Sequence, residues 1–426
     1  MISNQEILKV HKYGMLYKER FEGIDYGLIL AFFIWPFAAF VYALINYRRK
    51  SSQIIMVLFT GLYAYSMIAE SAGLDLYRVL ESAKLYATLS FDQVWAIVGG
   101  LYSEKDDAGV DIYRDLVAFV VTRFTDNGNV LMMVYGLIYG WLYVLSLKAL
   151  LSVNRIKNIY TMFILISFSM IFSMDQVAGV RFAAAAYVMF IGIFRFIQTR
   201  QLKFLIVAAL SGLVHFSFLA VFVVFLLYWW LKPGNKILYI LVIITFLAGN
   251  FFGTSVVNLI DSIGGSLGAR ADMYASMETM ADQTVWFVKY REEMMMIYML
   301  LFIIIVKLRN INLREKRIHA QMYGLSLALL SLSNITGNIP HAGYRYQFVA
   351  VMFFMAYVYL LYRYNFQNRT IKILSLLSVP FFLLQIIYAL RSILFYTPFT
   401  LFFGFSPMVL FMKVEQTVWD VIKSIF

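Results

Sequence analysis

The chain has 426 residues, 62% of them hydrophobic and only 14% charged, and its mean hydropathy is +0.75. A soluble protein of this length carries about 25% charged residues, so a water-soluble globular fold is excluded, and continuous instead of alternating apolar runs argue against a β-barrel. The net charge of +12 sits largely in short turns beside apolar runs. That is the pattern of a membrane protein obeying the positive-inside rule and not of a nucleic-acid binder, and the absence of cysteine excludes disulfides, thiol catalysis and cysteine metal sites.

Residues 1–25 are polar and read as a short lead-in, with no cleavable signal peptide. The first span covers about Tyr26–Asn46 and contains Pro36, which should kink it; the basic turn Tyr47-Arg48-Arg49-Lys50 and a span over Gln53–Ala69 follow. The segment Glu70–Asn129 is polar and acidic, and within it Ile112–Phe124 has the periodicity of an amphipathic helix lying along the interface. Spans are expected over Val130–Leu151, Ile159–Met174 and Val177–Phe196, with Arg155 and Lys157, then Arg200 and Lys203, in the turns. The run Phe204–Leu231 is too long for one ordinary span, since a helix rises 1.5 Å per residue, and too short for two. A span over Ile237–Phe252 precedes a second polar segment, Gly253–Glu293. Further spans cover Met294–Val306, Ala320–Ile335, Tyr344–Tyr362 and Ile371–Leu390. The prolines and glycine after Phe395 point to a segment partly inserted in, or lying on, the membrane surface.

Charge decides how Phe204–Leu231 is used. With Arg48-Arg49-Lys50 in the cytoplasm, a single span there would put the five cations of Lys307–His319 outside. A pair of short helices breaking near His215 puts that loop and Arg363–Lys372 inside, as the rule requires. The expected architecture is therefore all-α: a polytopic membrane protein of about twelve transmembrane helices, with external segments over about 70–129 and 253–293. In domain terms these are a lead-in (1–25), a single transmembrane catalytic domain (26–394) and a C-terminal membrane-surface segment (395–426).

Chemistry-bearing residues gather on the outer side of this layout. Arg181 opens a helix beside Asp175, and a guanidinium, always charged, can clamp a phosphate; a snorkelling arginine or an Asp175–Arg181 ion pair would explain it equally. His215 sits at the helix break, where it could donate to a phosphate, act as acid or base, or simply be satisfied by a backbone carbonyl. Arg345 opens another span within Pro340-His341-Ala342-Gly343-Tyr344-Arg345-Tyr346, whose tyrosines could equally be interfacial anchors. Asp75 and Arg78, and more weakly Arg270 and Tyr274, lie in the two polar segments and suit substrate contacts or solvated loops. No nucleotide-binding, zinc-protease or serine-hydrolase motif is present, nor an Asp-x-Asp that would hold a metal for a nucleotide-sugar.

The basic turn after the first span, Gly73-Leu74-Asp75-Leu76-Tyr77-Arg78, Gly179-Val180-Arg181-Phe182-Ala183-Ala184, Leu213-Val214-His215-Phe216-Ser217, Tyr344-Arg345-Tyr346 and Tyr396-Thr397-Pro398-Phe399 together resemble the EpsG-like, Wzy-type polysaccharide polymerases of bacteria. Phe182 stands where members commonly carry Gln, and Gly73-Leu74-Asp75 matches a Gly-x-Asp-Tyr motif only in part. The resemblance implies a glycosyltransferase of the bacterial inner membrane that builds O-antigen, capsule or exopolysaccharide. Its donor and acceptor are oligosaccharide repeat units on a polyprenyl diphosphate, and it needs no metal or cofactor. It implies Arg181, His215, Arg345 and Asp75 as catalytic residues, with Asp75 or His215 as general base. Arg78, Asp175, Tyr344, His341, Arg270 and Tyr274 would contact substrate, and a flippase and a chain-length regulator would be partners. Two other classes stay open: a transporter or flippase for a lipid-linked sugar, which broken helices also suit, and a membrane acyltransferase, which would use a histidine such as His319.

Overall fold

The computed structural model describes residues 24–69, 75–99, 112–153, 156, 158–262, 286–309, 311, 317–337, 343–412, 414 and 416–425, with side chains at 98–99, 249–262, 286–289 and 317–320 excepted. The described chain is almost entirely helical: α1 (Tyr26–Ile34), α2 (Pro36–Ile45), α3 (Lys50–Ser66), α4 (Asp75–Thr88), α5 (Phe91–Gly99), α6 (Ile112–Thr122), α7 (Gly128–Val153), α8 (Ile159–Ile171), a 3-10 turn (Met174–Gly179), α9 (Phe182–Thr199), α10 (Leu202–Val214), α11 (Phe218–Leu231), α12 (Asn235–Ser262), α13 (Trp286–Leu308), α14 (Arg317–Ile335), α15 (Gly343–Tyr364), α16 (Arg369–Phe381), α17 (Leu383–Tyr396), α18 (Phe399–Phe403), α19 (Ser406–Phe411) and α20 (Val418–Ile425). Among the described residues four segments are long and apolar enough to cross a membrane: α7, α8 with its 3-10 turn, α9 and α15. The bent pair α16–α17 makes a fifth if it is one span, and α2, α10, α11 and the first part of α12 are shorter apolar helices. This is an all-α, multi-pass membrane protein.

α15 is the innermost helix. Its residues from Gln347 to Tyr362 are all buried, the pattern of a helix surrounded by others and not of one with a single apolar face. Its 22 residues rise about 33 Å, close to the roughly 30 Å thickness of a bilayer core.

The basic turns converge on one end of the bundle. Arg48 reaches the carbonyl of Ile156 at 3.3 Å and Asn158 donates to the Tyr362 hydroxyl at 2.7 Å. Lys372 lies over the Tyr160 ring at 5.8 Å. Arg200 donates to Gln321 at 2.8 Å and lies over Trp229 at 4.2 Å, while Lys307 lies over Tyr239 at 5.0 Å. These contacts join the starts of α3, α8, α12, α14 and α16 to the ends of α9, α11, α13 and α15.

The run expected to break near His215 does so, and it turns back. Gly192 on α9 packs so closely on Ala208 of α10 that a Cβ would collide with its backbone. α11 runs alongside α9 in the same direction, with Phe182 against Phe218 (5.1 Å between centroids) and Phe196 against Trp229 (5.0 Å). α10 and α11, of 13 and 14 residues, thus form a hairpin about 20 Å deep whose tip is His215–Ser217 and whose two feet stand at the basic end.

Breaks elsewhere follow from proline. At Pro36 the chain turns back through Trp35 (φ −147°, ψ 87°) and restarts with the proline at the first helical position, where its missing N–H costs nothing. Asp25 N–H donates to the Ser51 hydroxyl at 2.8 Å, beside the end of α2, so the span expected over Tyr26–Asn46 is a hairpin and not a crossing. The carbonyl of Phe32 loses its helical donor and is satisfied instead by the Ser406 hydroxyl at 2.7 Å. The C-terminal segment therefore docks on the first helices, and Trp35 Nε1 donating to Phe402 O (2.6 Å) and Tyr65 donating to Leu410 O (2.8 Å) hold it there. The span expected as one piece over Ile371–Leu390 is bent by 41° at Phe382, beside Pro380, and the helices expected over 237–252 and 294–306 run longer, to Ser262 and from Trp286 to Leu308. The helix expected over 112–124 is α6, and it buries its polar side. Asp115 is 1% exposed and pairs with Arg114 at 3.0 Å, whereas Leu116 and Val120 face outward.

α3 and α7 approach closely because small residues line their contact, the device membrane helices use in place of a hydrophobic drive. A Cβ at Gly136 would lie 2.5 Å from Ala64 Cβ and 2.6 Å from Thr60 O. Gly136→Val should lower stability by about 2–3 kcal/mol, read as a fall in melting temperature in detergent. Gly234→Ala, where a Cβ meets nothing within 4 Å, should melt like the wild type; equal melting of both would refute the close α3–α7 contact.

Candidate functional site

The site lies at the bundle end away from the basic turns, where α9 and α15 begin and α10 ends. α8 stops at Ile171 and the chain crosses to α9 through the 3-10 turn Met174–Gly179. Stopping a helix inside a bundle strands carbonyl oxygens that water cannot reach. Two buried tyrosines answer this: Tyr139 donates to Phe172 O (3.0 Å) and Ser173 O (2.9 Å), and Tyr187 donates to Phe172 O (2.8 Å). Asp175, 3% exposed, is held inside the turn by the Ser173 hydroxyl and by Gln176 Nε2 at 3.1 Å. Val180 then takes a positive φ of 55°. A β-branched residue there is strained by about 1–3 kcal/mol, and the strain falls on the residue that precedes Arg181.

Arg181 caps α9 and is half-buried; Phe182 follows it. His215 is 9% exposed at the hairpin tip. Its Nδ1 accepts from the Ser217 backbone N–H at 3.3 Å and lies 2.9 Å from the Ser217 hydroxyl. A nitrogen that accepts an amide proton carries none of its own, so the neutral ring keeps its proton on Nε2. Tyr346 donates to Ser217 O at 3.2 Å, tying the tip to the first turn of α15. The Phe182 ring joins these pieces: His215 packs edge-on against it at 5.5 Å, and the Arg345 guanidinium lies over it at 5.4 Å. Arg181, His215 and Arg345, far apart in the chain, are thus gathered around Phe182.

A third arginine belongs to the same neighbourhood. Arg291, 7% exposed in the second turn of α13, lies 3.9 Å over the Tyr388 ring and 5.6 Å from Phe348, and its Nη2 pairs with Glu292 at 3.2 Å. Its Nε is buried without a hydrogen-bond partner. Tyr344 lies within hydrogen-bond reach of Arg345 and within electrostatic reach of Arg291 and Glu292. Gln347 donates to Glu292 O at 2.6 Å, which fixes α13 against α15. As a sequence, Arg291-Glu292-Glu293 reads as the tail of a polar segment. The signal that would have found it is the one that marks Arg181 and Arg345, an arginine in the opening turns of an apolar helix.

The other sequence candidates are placed differently. Asp75 and Arg78 form an exposed pair at 3.8 Å on α4, their side chains 61% and 69% accessible. The described contacts do not join them to the arginines, although α4 packs against the 3-10 turn. His341, Arg270 and Tyr274 lie outside the described residues. Among the described residues no three His, Asp or Glu side chains come together as metal ligands would. The charge in the cluster is that of Arg181, Arg291 and Arg345 set against Glu292, an arrangement suited to holding an anion with more than one negative charge.

The tyrosine clamp generates a test. Either Tyr139→Phe or Tyr187→Phe leaves the Phe172 carbonyl one donor and should cost about 1 kcal/mol, whereas the double variant leaves it none and should cost more than the sum. Melting in detergent reads this, and simple additivity would contradict the shared-carbonyl geometry.

No curated protein and no solved structure matches the chain. The family model described as "EpsG family" matches residues 96–407, which takes in the 3-10 turn, the hairpin and all three arginines. The chain belongs to the EpsG family, the family of Wzy-like polysaccharide polymerases.

Proposed function

We propose that the protein joins oligosaccharide repeat units carried on a polyprenyl diphosphate into a surface polysaccharide. It would work in the bacterial inner membrane, with the basic turns in the cytoplasm and the arginine cluster on the outer side. The observation that carries this reading is the meeting of three half-buried or buried arginines and His215 at the end of an apolar bundle.

The chemistry follows from those groups. An acceptor hydroxyl oxygen attacks C1 of the donor's reducing-end sugar and forms the new glycosidic bond, the C1–oxygen bond to the diphosphate breaks, and polyprenyl diphosphate leaves with the bonding electrons. Negative charge builds on the diphosphate as it departs, and fixed guanidinium groups aimed at that charge stabilise it without reorganisation. His215, holding its proton on Nε2, is a hydrogen-bond donor to the same oxygens and not the general base. The acceptor proton passes to Glu292, the carboxylate that shares the cluster with Tyr344 and Arg291. Asp75 and Arg78, exposed on α4, are assigned to the rim as sugar contacts, and His341, Arg270 and Tyr274 to the same groove. Asp175 holds the turn that carries Arg181. A flippase delivering the units and a chain-length regulator are the expected partners.

The broken hairpin α10–α11 favours one second reading, a transporter for a lipid-linked sugar, because such proteins place unwound helix ends at their substrate. One strain separates the two. In a chromosomal deletion complemented with Arg345→Ala, Arg291→Ala or Glu292→Gln, each checked for wild-type abundance, lipid-linked single repeat units should accumulate outside. Polymer should fall about 10²-fold, the size of effect seen when one charge-stabilising donor is removed, with partial recovery in Arg345→Lys. Repeat units trapped in the cytoplasm would favour the transporter, and a normal glycan ladder in all three variants would refute the site.

A further inference from the structure

Beside the arginine cluster the bundle forms a partly open cavity of about 940 Å³ between α2, α3, α7, α8, α17 and α18. That is at the upper end of the roughly 300–1,000 Å³ of ligand pockets and far larger than the few small voids a packed interior leaves. It extends along the whole of α8, from Asn158 before its start to Met174 beyond its end; the 13 residues of α8 rise about 20 Å, much of the thickness of a bilayer core. Phe40, Phe59, Leu165, Ile166 and Ile393 are typical of its wall.

The hydroxyls on that wall are used up at home. Thr60 donates to Met56 O at 2.8 Å, Ser169 to Leu165 O at 2.8 Å, and Thr397 to Ile393 O. Tyr63 is the exception. It is fully buried on the wall beside Thr397, and its hydroxyl makes no hydrogen bond of good geometry. It stands one helical turn beyond Thr60, toward the end lined by Ser173 and Thr397. A long apolar bore with a buried hydroxyl near one end suits an amphiphile lying lengthwise, with its polar head at that end.

That end of the cavity adjoins the arginines. Phe172 lines the cavity and packs edge-on against Phe182 (6.0 Å) and Phe348 (6.1 Å). Those are the two rings that carry Arg345 and Arg291. A head group held at that end is therefore one ring away from both guanidinium groups. We infer that this cavity is the seat of the isoprenoid chain of a lipid diphosphate, with Tyr63 donating to the first oxygen of the head and the arginines taking the diphosphate. The inference rests on the function proposed above and adds to it where the lipid is held and how its length is sensed.

The test uses the full chain in nanodiscs of phosphatidylethanolamine and phosphatidylglycerol, with geranyl diphosphate (10 carbons) and geranylgeranyl diphosphate (20 carbons) as probes. The shorter probe reports on the head site and fills only the near part of the bore; the longer one reaches toward Met162. Met162 is 46% exposed although it lines the far end, so Met162→Trp narrows the bore with little risk to folding. The 20-carbon probe should bind at least about tenfold tighter than the 10-carbon one, because every added methylene leaves water for an apolar wall. Met162→Trp should remove that advantage and leave the 10-carbon probe within twofold of wild type. A terminal diazirine on the longer probe should label α2, α7 or α8 of the wild-type protein, and excess unlabelled 20-carbon diphosphate, but not phosphatidylglycerol, should prevent it. Equal binding of the two chain lengths, an equal loss of both in Met162→Trp, labelling elsewhere, or displacement by phosphatidylglycerol would overturn the cavity assignment while leaving the head site standing. Failure of both probes to bind would overturn the proposed function as well.

Discussion

A guanidinium cannot give up its charge in a protein, so an arginine at the edge of an apolar bundle must be surrounded by something that makes the charge tolerable. Here that surrounding is aromatic. Arg345 lies over Phe182, and Arg291 over Tyr388 and Phe348. Ring faces attract a cation, by about 2 kcal/mol or more when desolvated, yet offer no proton acceptor. Arg291 spends only part of its hydrogen-bonding capacity: one Nη pairs with Glu292, and its Nε is buried without a partner. Three guanidinium groups set against Glu292 make the site both costly to fold and selective for an anion.

The backbone is arranged to deliver those arginines to one place. A straight crossing would carry α8 past the site and α10 through it; instead both stop short. The carbonyls freed at the end of α8 are taken by Tyr139 and Tyr187, and the hairpin tip is fixed by the Ser217–His215 and Tyr346–Ser217 hydrogen bonds. The strained Val180 is the residue through which the turn meets α9. Close approach of α3 to α7 at Gly136, and of α9 to α10 at Gly192, provides the rigid frame against which the breaks are held. The basic turns at the far end, about one bilayer thickness away along α15, set the orientation that the proposed function requires.

Much of this is legible in the sequence where local chemistry decides. Pro36 announces its own break, the excess length of Phe204–Leu231 together with the cations beyond it requires a returning pair, and arginines opening apolar helices mark Arg181 and Arg345. What depends on how the backbone turns and which helix faces are covered is not legible. Asp175 reads as a companion for Arg181, but two neighbouring side chains, Ser173 and Gln176, hold it inside the turn. Asp75 reads as a base beside the site, whereas α4 leaves it exposed against Arg78. His215 reads as acid or base alike, and only the amide of Ser217 fixes which nitrogen bears the proton. Arg291 is hidden because α13 begins well before the apolar run does, and the cavity beside α8 is hidden because its walls come from six helices spread over most of the chain.

The most direct test of the account is reconstitution of the purified protein with lipid-linked repeat units of defined structure in vesicles, following both glycan length and free polyprenyl diphosphate. The account predicts a ladder of longer glycans and one polyprenyl diphosphate released for each new linkage. Units that cross the bilayer without being joined, or linkages that form without release of the diphosphate, would contradict it.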